Sequence, residues 1–329
     1  MRKQPNILQK INGLIRKARV PVYLHRFGPK KYTSIEHCKA WLLKEAHRCS
    51  WQDFYDDFAT LYFTRLPDLS TWKKFVKRLP AYLKHLLTSL AAGDTPAEYG
   101  AIDSTGLSRN NASEHFTRRI DRENPIKRPL KLSLYTCKRR ILAFRLRAKW
   151  RGDTKDVKYL IRQSPVLAET NCMDKGYDAN YIHALFREKG VCSIIPAKKN
   201  CRRGRYRKEM RDYFDYGQYG ERNCAEYNNS SLKRRFGDYV RSVTFRAQHA
   251  EVTARIILHN LKAFLTRLFH RSRSRLIKLH VKLLPFYLFL GAERSFGFCL
   301  FIRNRDAACI YFFCNRALPG LQIDVRLDS

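Results

Sequence analysis

Four residues between positions 219 and 233 have the types and spacing to do chemistry on a polyanion. Tyr219, Arg222, Glu226 and Lys233 lie three, four and seven positions apart, so a helix through YGERNCAEYNNSSLK sets all four on roughly one side. A lone carboxylate between Arg and Lys fits a metal-ligating acid beside cations that hold phosphates. The same spacing also describes a solvated charged face with an Arg222–Glu226 pair. Two more acids stand at expected strand ends, Asp103 in AIDSTG and Asp174 in CMDKGYD. Groups at the carboxyl ends of strands in an open α/β sheet line the crevice where ligands bind. If those strands are neighbours, Asp103 and Asp174 converge and Glu226 reaches them from a helix packed across the sheet. Three hard oxygen ligands suit Mg²⁺ or Mn²⁺. Two such ions per site, about 3.5–4 Å apart, would stabilise both the attacking and the leaving oxygen of a phosphodiester displacement. Asp103 and Asp174 could each cap a turn instead. Asp178 reads better as the N-cap of the next helix than as a ligand, and Asp153 and Asp156 as acids opening another. Nothing resembles a nucleophilic triad or a Walker phosphate loop, and glycine is too sparse for a dinucleotide fingerprint.

These acids need a sheet to carry them, and the chain has its rhythm. Strands are expected at Tyr99–Ile102, Leu132–Cys137 and Ile141–Lys149, the last two joined as a hairpin by KRR. A polar, basic excursion separates the first two. A helix from about Asp153, a strand at Ala168–Met173, a helix at Asp178–Lys189 and a buried strand at Val191–Ala197 follow. The order β-β-β-α-β-α-β, then a basic loop, KKNCRRGRYRK at 198–208, then the Glu226 helix, points to a mixed sheet covered by helices. That order is what a ribonuclease-H-like fold needs.

The region before this sheet reads as helical. Residues 1–32, basic and with Pro21 and Pro29, look like a loosely ordered arm or a docking segment. Ser34, Ser50 and Ser70 are candidate N-caps for three short helices, and Pro80 interrupts the third. The third carries Lys73, Lys74, Lys77 and Arg78, so a helix-turn-helix-like module facing DNA competes with an ordinary helical bundle. Trp41, Trp51 and Trp72 are better assigned to its core than to base stacking. GDTPAE at 93–98 reads as a linker, giving an expected division into a helical region at 1–92 and a catalytic domain at 93–269.

The 329 residues contain 65 Lys and Arg against 29 Asp and Glu, a net charge of +36. Such a surface attracts polyanions, with DNA or RNA first and an anionic membrane second. The ten cysteines lack zinc-site spacing and read as reduced thiols of a cytoplasmic protein. No secretory signal is evident at the N-terminus. Arg202 and Arg203 in the basic loop, and Arg234 and Arg235 beyond Lys233, add cations where a nucleic acid would lie.

The sequence resembles the insertion-sequence transposases of the DDE class, in the group whose third acid lies in a Y-(2)-R-(3)-E-(6)-K signature. Tyr219, Arg222, Glu226 and Lys233 fill every gap of that signature, IDSTG resembles the segment of the first acid, and DKGYD that of the second. The segments KRRFGDYVRS and HAEVTARIILHNLKAF are also similar, and the likeness covers roughly residues 95–265. The resemblance implies a ribonuclease-H-like catalytic domain with Asp103, Asp174 and Glu226 as metal-binding acids. It implies binding of terminal inverted repeats, metal-dependent cutting that leaves a 3′-hydroxyl, and attack of that hydroxyl on target DNA. It further implies a homodimer on paired ends, no small-molecule cofactor, and a nucleoid-associated protein of a prokaryotic cell. Arg222 and Lys233 would position phosphates, and Tyr219 would stack or pack. A catalytically inactive, transposase-derived DNA-binding protein is the alternative; a basic RNA- or membrane-surface-binding protein is another.

Beyond about Phe269 the likeness ends. The basic run HRSRSRLIK precedes LLPFYLFLG, FGFCLFI and CIYFFC, none long enough to span a bilayer. Residues 270–329 could form a small added subdomain or an interfacial segment. Translation from outside the ancestral reading frame is the favoured reading, because the stretch has neither amphipathic rhythm nor turn logic.

Overall fold

The computed structural model describes residues 6–27, 30–95, 97–109 and 129–263, and the backbone of two short strands at 297–298 and 312–313. Most of the expected polar excursion after the first strand, and most of the extension 270–329, lie outside the described residues.

Five strands form one mixed sheet: β1 (Tyr99–Leu107), β2 (Leu130–Cys137), β3 (Arg140–Arg147), β4 (Thr170–Met173) and β5 (Cys192–Ile194), in the order β3-β2-β1-β4-β5. The β2–β3 hairpin is antiparallel, turning at Lys138 with φ 53°, and β2 pairs antiparallel with β1. The pairs β1–β4 and β4–β5 are parallel. The fold is therefore α/β, a five-stranded mixed sheet flanked by helices. Strand β1 runs five residues past Ile102, so Asp103 sits within the strand and opposite Leu134 of β2. What ends at Ile102 is the parallel pairing with β4, whose last partner is Met173.

Gly100 leaves room on the face of β1 for Ala168 and the Tyr135 ring. A Cβ there would lie 2.9 Å from both the Ala168 Cβ and a Tyr135 ring carbon, inside contact distance. On one face of the sheet, Ile102, Tyr135 and Met173 pack against the helices Thr154–Gln163 and Asn180–Arg187 through Val157, Leu160, Ile182 and Phe186. On the other face, Ala101, Cys172 and Ile194 meet Ala225 of the helix Asn223–Phe236.

A second helix on that face, residues 245–263, is buried along its whole middle, polar positions included. Each of those polar groups therefore needs a partner. Asn260 bonds both the N–H and the carbonyl of Ile141, His259 Nε2 meets Asn228 Oδ1 at 3.0 Å, and Arg255 pairs with Glu251 at 2.5 Å. Asn228 in turn donates to the Lys138 carbonyl at the hairpin turn.

The N-terminal helices join the same core. Residues 7–17, expected in a loose arm, form a helix because Asn6 and Gln9 make a capping box and Ile11, Leu14 and Ile15 bury one face. The next helix, Ser34–His47, is capped by Thr33 with Glu36 rather than by Ser34. Ser50 caps Trp51–Asp53 as expected, and that helix loosens into a π turn, Phe54–Phe58, and a 3-10 turn. Asp68, not Ser70, caps Leu69–Arg78; Pro80 then starts Ala81–Ala92. Trp41 and Trp72 are buried and Trp51 packs against them, as their assignment to the core requires. Residues 1–265 form one compact unit, so the helices of region 1–92 and the sheet share a hydrophobic core instead of standing as separate bodies. Residues 266–329 form a second unit, in which β6 (Gly297–Phe298) and β7 (Phe312–Phe313) pair antiparallel.

Asp156 stands in the first turn of the helix Thr154–Gln163, as expected of a helix-opening acid, and is also fully buried. Its carboxylate takes Arg147 at 2.6 Å, Ser133 at 2.9 Å and the buried Lys131 at 3.4 Å. Asp156→Ala should lower the unfolding free energy by about 2 kcal/mol, because Arg147 and Ser133 lose their acceptor while Lys131 keeps Asp153 at 2.7 Å. A denaturant midpoint unchanged from the parent would refute that role.

Candidate active site

The site is assembled where the two parallel strands stop pairing. Asp103 follows Ile102 within β1 and Asp174 is the first residue after β4, so each acid follows the last parallel pair, Ile102 with Met173. Side chains alternate along a strand. Asp103 therefore shares the face of Ala101, which is the face covered by the helix Asn223–Phe236. Tyr219, packed with Phe214 at the start of this helical run, has its pKa raised by burial first, with Asp174 adding to the effect. The contact across the face is a hydrogen bond: Asn229 Nδ2 donates to Asp103 Oδ2 at 2.9 Å. Asn229 is one helical turn beyond Glu226, so the bond sets the Glu226 turn above β1.

The electrostatics separate the three acids. Burial pushes the Asp103 pKa up, and the Ser104 amide, Arg222 and Asn229 oppose that only in part. Asp174 is exposed, at the start of the 3-10 turn Lys175–Tyr177. Glu226 is also exposed, and its carboxylate is taken by Arg222 in an i,i+4 ion pair. Burial acts to lower the Arg222 pKa, but Tyr219, Glu226 and Asp103 outweigh it and leave a firmly held cation. The paired-face reading of the sequence thus describes Arg222 and Glu226 as they stand. Among the described residues, no three His, Cys, Asp or Glu side chains are grouped closely enough to hold a metal ion. The donors are nonetheless hard oxygens, and the buried Asn229 Oδ1 beside Asp103 finds no hydrogen-bond partner among the described residues. An acceptor without a donor fits a cation or its hydration water better than it fits a closed protein core.

A second network, absent from the sequence reading, steadies the site from the opposite face. Ser104 Oγ lies 3.0 Å from the Tyr177 hydroxyl and 2.9 Å from Ser133 Oγ, which donates to Asp156. Tyr177 closes the turn that begins at Asp174, so this bond ties that turn to β1 next to Asp103. Its residues stand inside the two acid motifs, Ser104 in IDSTG and Tyr177 in DKGYD.

The remaining candidates are spread more widely. Lys233 is half-buried and Arg234 exposed, while Arg235 is half-buried with its pKa lowered, by burial first and then by Arg48. Arg202 and Arg203 are exposed, as are Lys73, Lys74, Lys77 and Arg78, which lie away from the buried Trp72 and Val76. The second half of the expected basic loop is a helix, Arg205–Asp212. Asp178 does not cap the following helix. It accepts Arg207 at 2.7 Å and the Lys198 amide at 2.9 Å, binding the basic segment down.

No protein-family model matches the chain, and no curated protein matches it. Among solved structures, it is similar to the piggyBac transposase in a cryo-EM synaptic complex with hairpin DNA. The identity is 12% and the TM-score 0.39, over 78% of this chain and 72% of that one. A likeness at that level leaves the functional reading to the residues themselves.

Because the folded-state pKa of Asp103 is raised, its contribution to stability is largest at low pH and is lost as pH rises through the carboxylate range. Asp103→Asn should therefore melt above the parent at pH 7, with the gap closing below about pH 4. A variant that melts below the parent at neutral pH would contradict that account of the site.

Proposed function

We propose that the protein is a DNA transposase of the DDE class, built on a ribonuclease-H-like domain and acting on the ends of its own element. The observation that supports this reading is that Asp103 and Asp174 each follow the last residue pair of two adjoining parallel strands, with Asn229, one turn from Glu226, bonded to Asp103. The strand order and the filled Y-(2)-R-(3)-E-(6)-K spacing support it, as does a charge of +36.

Asp103, Asp174 and Glu226 would hold divalent Mg²⁺ or Mn²⁺, which supply Lewis-acid stabilisation of the oxygens exchanged at phosphorus when bound. Glu226 would first have to leave Arg222, a rotamer change open to an exposed side chain. Arg222, freed from it, would then face a phosphate. Asn229 orients the Asp103 carboxylate, and the Tyr177–Ser104 bond keeps the Asp174 turn against β1. Lys233 and Arg234 extend the cationic surface along the same helix, and Arg202, Arg203, Lys73, Lys74 and Lys77 offer further phosphate contacts. In this reading a homodimer synapses two DNA ends.

Cleavage of a duplex bearing the element's own ends, measured with and without Mg²⁺, tests the proposal. Glu226→Gln should cut more slowly by more than the roughly 10- to 100-fold typical of a lost supporting partner, while binding the same duplex nearly as well. Cutting at the parental rate would remove Glu226 from the chemistry. Binding without any cutting by the parent would favour an inactive DNA-binding relic. For the basic segment, the double variant Arg202→Ala/Arg203→Ala should flatten the log–log salt dependence of DNA binding by about 1.8, at roughly 0.9 per phosphate contact. An unchanged slope would mean that neither guanidinium meets the DNA.

A further inference from the structure

A cavity of about 510 Å³ opens at the outer edge of β3, between the helices Ala81–Ala92, Thr154–Gln163 and 245–263. The candidate active site is elsewhere, over β1 and β4. The cavity walls are aromatic: Tyr82 and Phe245 are exposed, and Phe144 lies with its ring 5.5 Å from that of His249. Lys84 and Arg246 stand at the same opening. No Asp or Glu lines it, in a sheet where other inward cations, such as Lys131 and Arg147, have found one. Lys84 is half-buried, and its pKa is lowered by burial first and then by Arg246, which lines the same cavity. His249, held down to about 4 by burial and by Lys84, stays a neutral ring at physiological pH.

Two mutually repelling cations at the mouth of an aromatic slot call for a ligand that is flat at one end and anionic at the other. The volume is within the range of pockets that take small organic ligands. Aromatic walls bind any base through its π face, and paired cations neutralise a phosphate. We propose that this cavity binds a single unstacked nucleotide, with its base among Tyr82, Phe144 and Phe245 and its phosphate between Lys84 and Arg246. The nucleotide could belong to a DNA strand that leaves the duplex or be free in solution; the chemistry of the pocket is the same. The inference stands on the cavity and does not depend on the nuclease reading.

Titration of the full-length protein with deoxyadenosine 5′-monophosphate, adenosine and inorganic phosphate tests it, with Glu226→Gln protein run in parallel. The monophosphate should bind at least about tenfold tighter than either half alone, and Glu226→Gln should bind it as the parent does, which keeps failure here distinct from failure of the cleavage reading. Phe245→Ala and the double variant Lys84→Ala/Arg246→Ala should each weaken monophosphate binding about tenfold or more. Removing two cations that repel each other should not lower the melting temperature, so loss of binding by that variant reports the pocket and not unfolding. A single-stranded decamer binding more tightly than the matched duplex, with the difference abolished in Phe245→Ala, would assign the nucleotide to a DNA strand. Monophosphate binding that persists with no such difference would assign it to the free pool. Equal affinities for monophosphate and inorganic phosphate, or a Phe245→Ala variant that binds like the parent, would overturn the proposal.

Discussion

The arrangement depends on one carboxylate placed where a carboxylate is costly. Asp103 lies between a sheet and the helix packed on it, and its burial is only partly offset by Arg222, the Ser104 amide and Asn229. Hydrophobic packing alone would fill such a position with an aliphatic side chain. The surroundings are built to tolerate the charge instead. Ala225 is small enough for the helix to come down on Ala101 and Cys172, and Asn229 reaches the acid from one turn along. Stability given up at such a point is the usual mark of a site that needs its geometry more than its packing.

Holding that geometry takes polar contacts on both faces. The helix at 245–263 buries Asn260, His259 and Arg255, and each ties down a different piece: the β3 backbone, the Glu226 helix and the 237–239 loop. On the other face, the Ser104, Ser133, Tyr177 and Asp156 chain joins β1, β2 and the turn after β4. Buried hydrogen bonds specify one arrangement more sharply than apolar contacts do, because any slip leaves further polar groups unpaired. Asp103 and the turn that begins at Asp174 are thus held by their supports, while the exposed Glu226 side chain is free to adjust.

Much of this was legible in the residue pattern. Strands β2 and β3 and the 154–163 helix carry strong periodicity, and the tryptophans marked the N-terminal core. The acids' neighbourhood could be read because a residue at the end of parallel pairing must sit at the crevice, whichever strand it is on. What escaped was long-range. Asp156 has the sequence context of a helix-opening acid, and only the fold brings Lys131 and Arg147 to it. Asp178 has the context of an N-cap, but Arg207, 29 residues away, outcompetes the helix for its oxygens. The helix at 7–17 was hidden by its basic composition, although Asn6 and Gln9 already spelled its cap. The unity of residues 1–265 was invisible for a similar reason: a glycine-bearing linker after residue 92 says nothing about which apolar faces meet across it.

Gly100 marks how tightly the layer behind Asp103 is filled. An imagined Cβ there would lie 2.9 Å from the Ala168 Cβ and from a Tyr135 ring carbon, on the face of the sheet that carries Ile102 and away from Asp103. A single added methyl group would have to displace that layer, so the backing of the acid's strand tolerates no growth at this position.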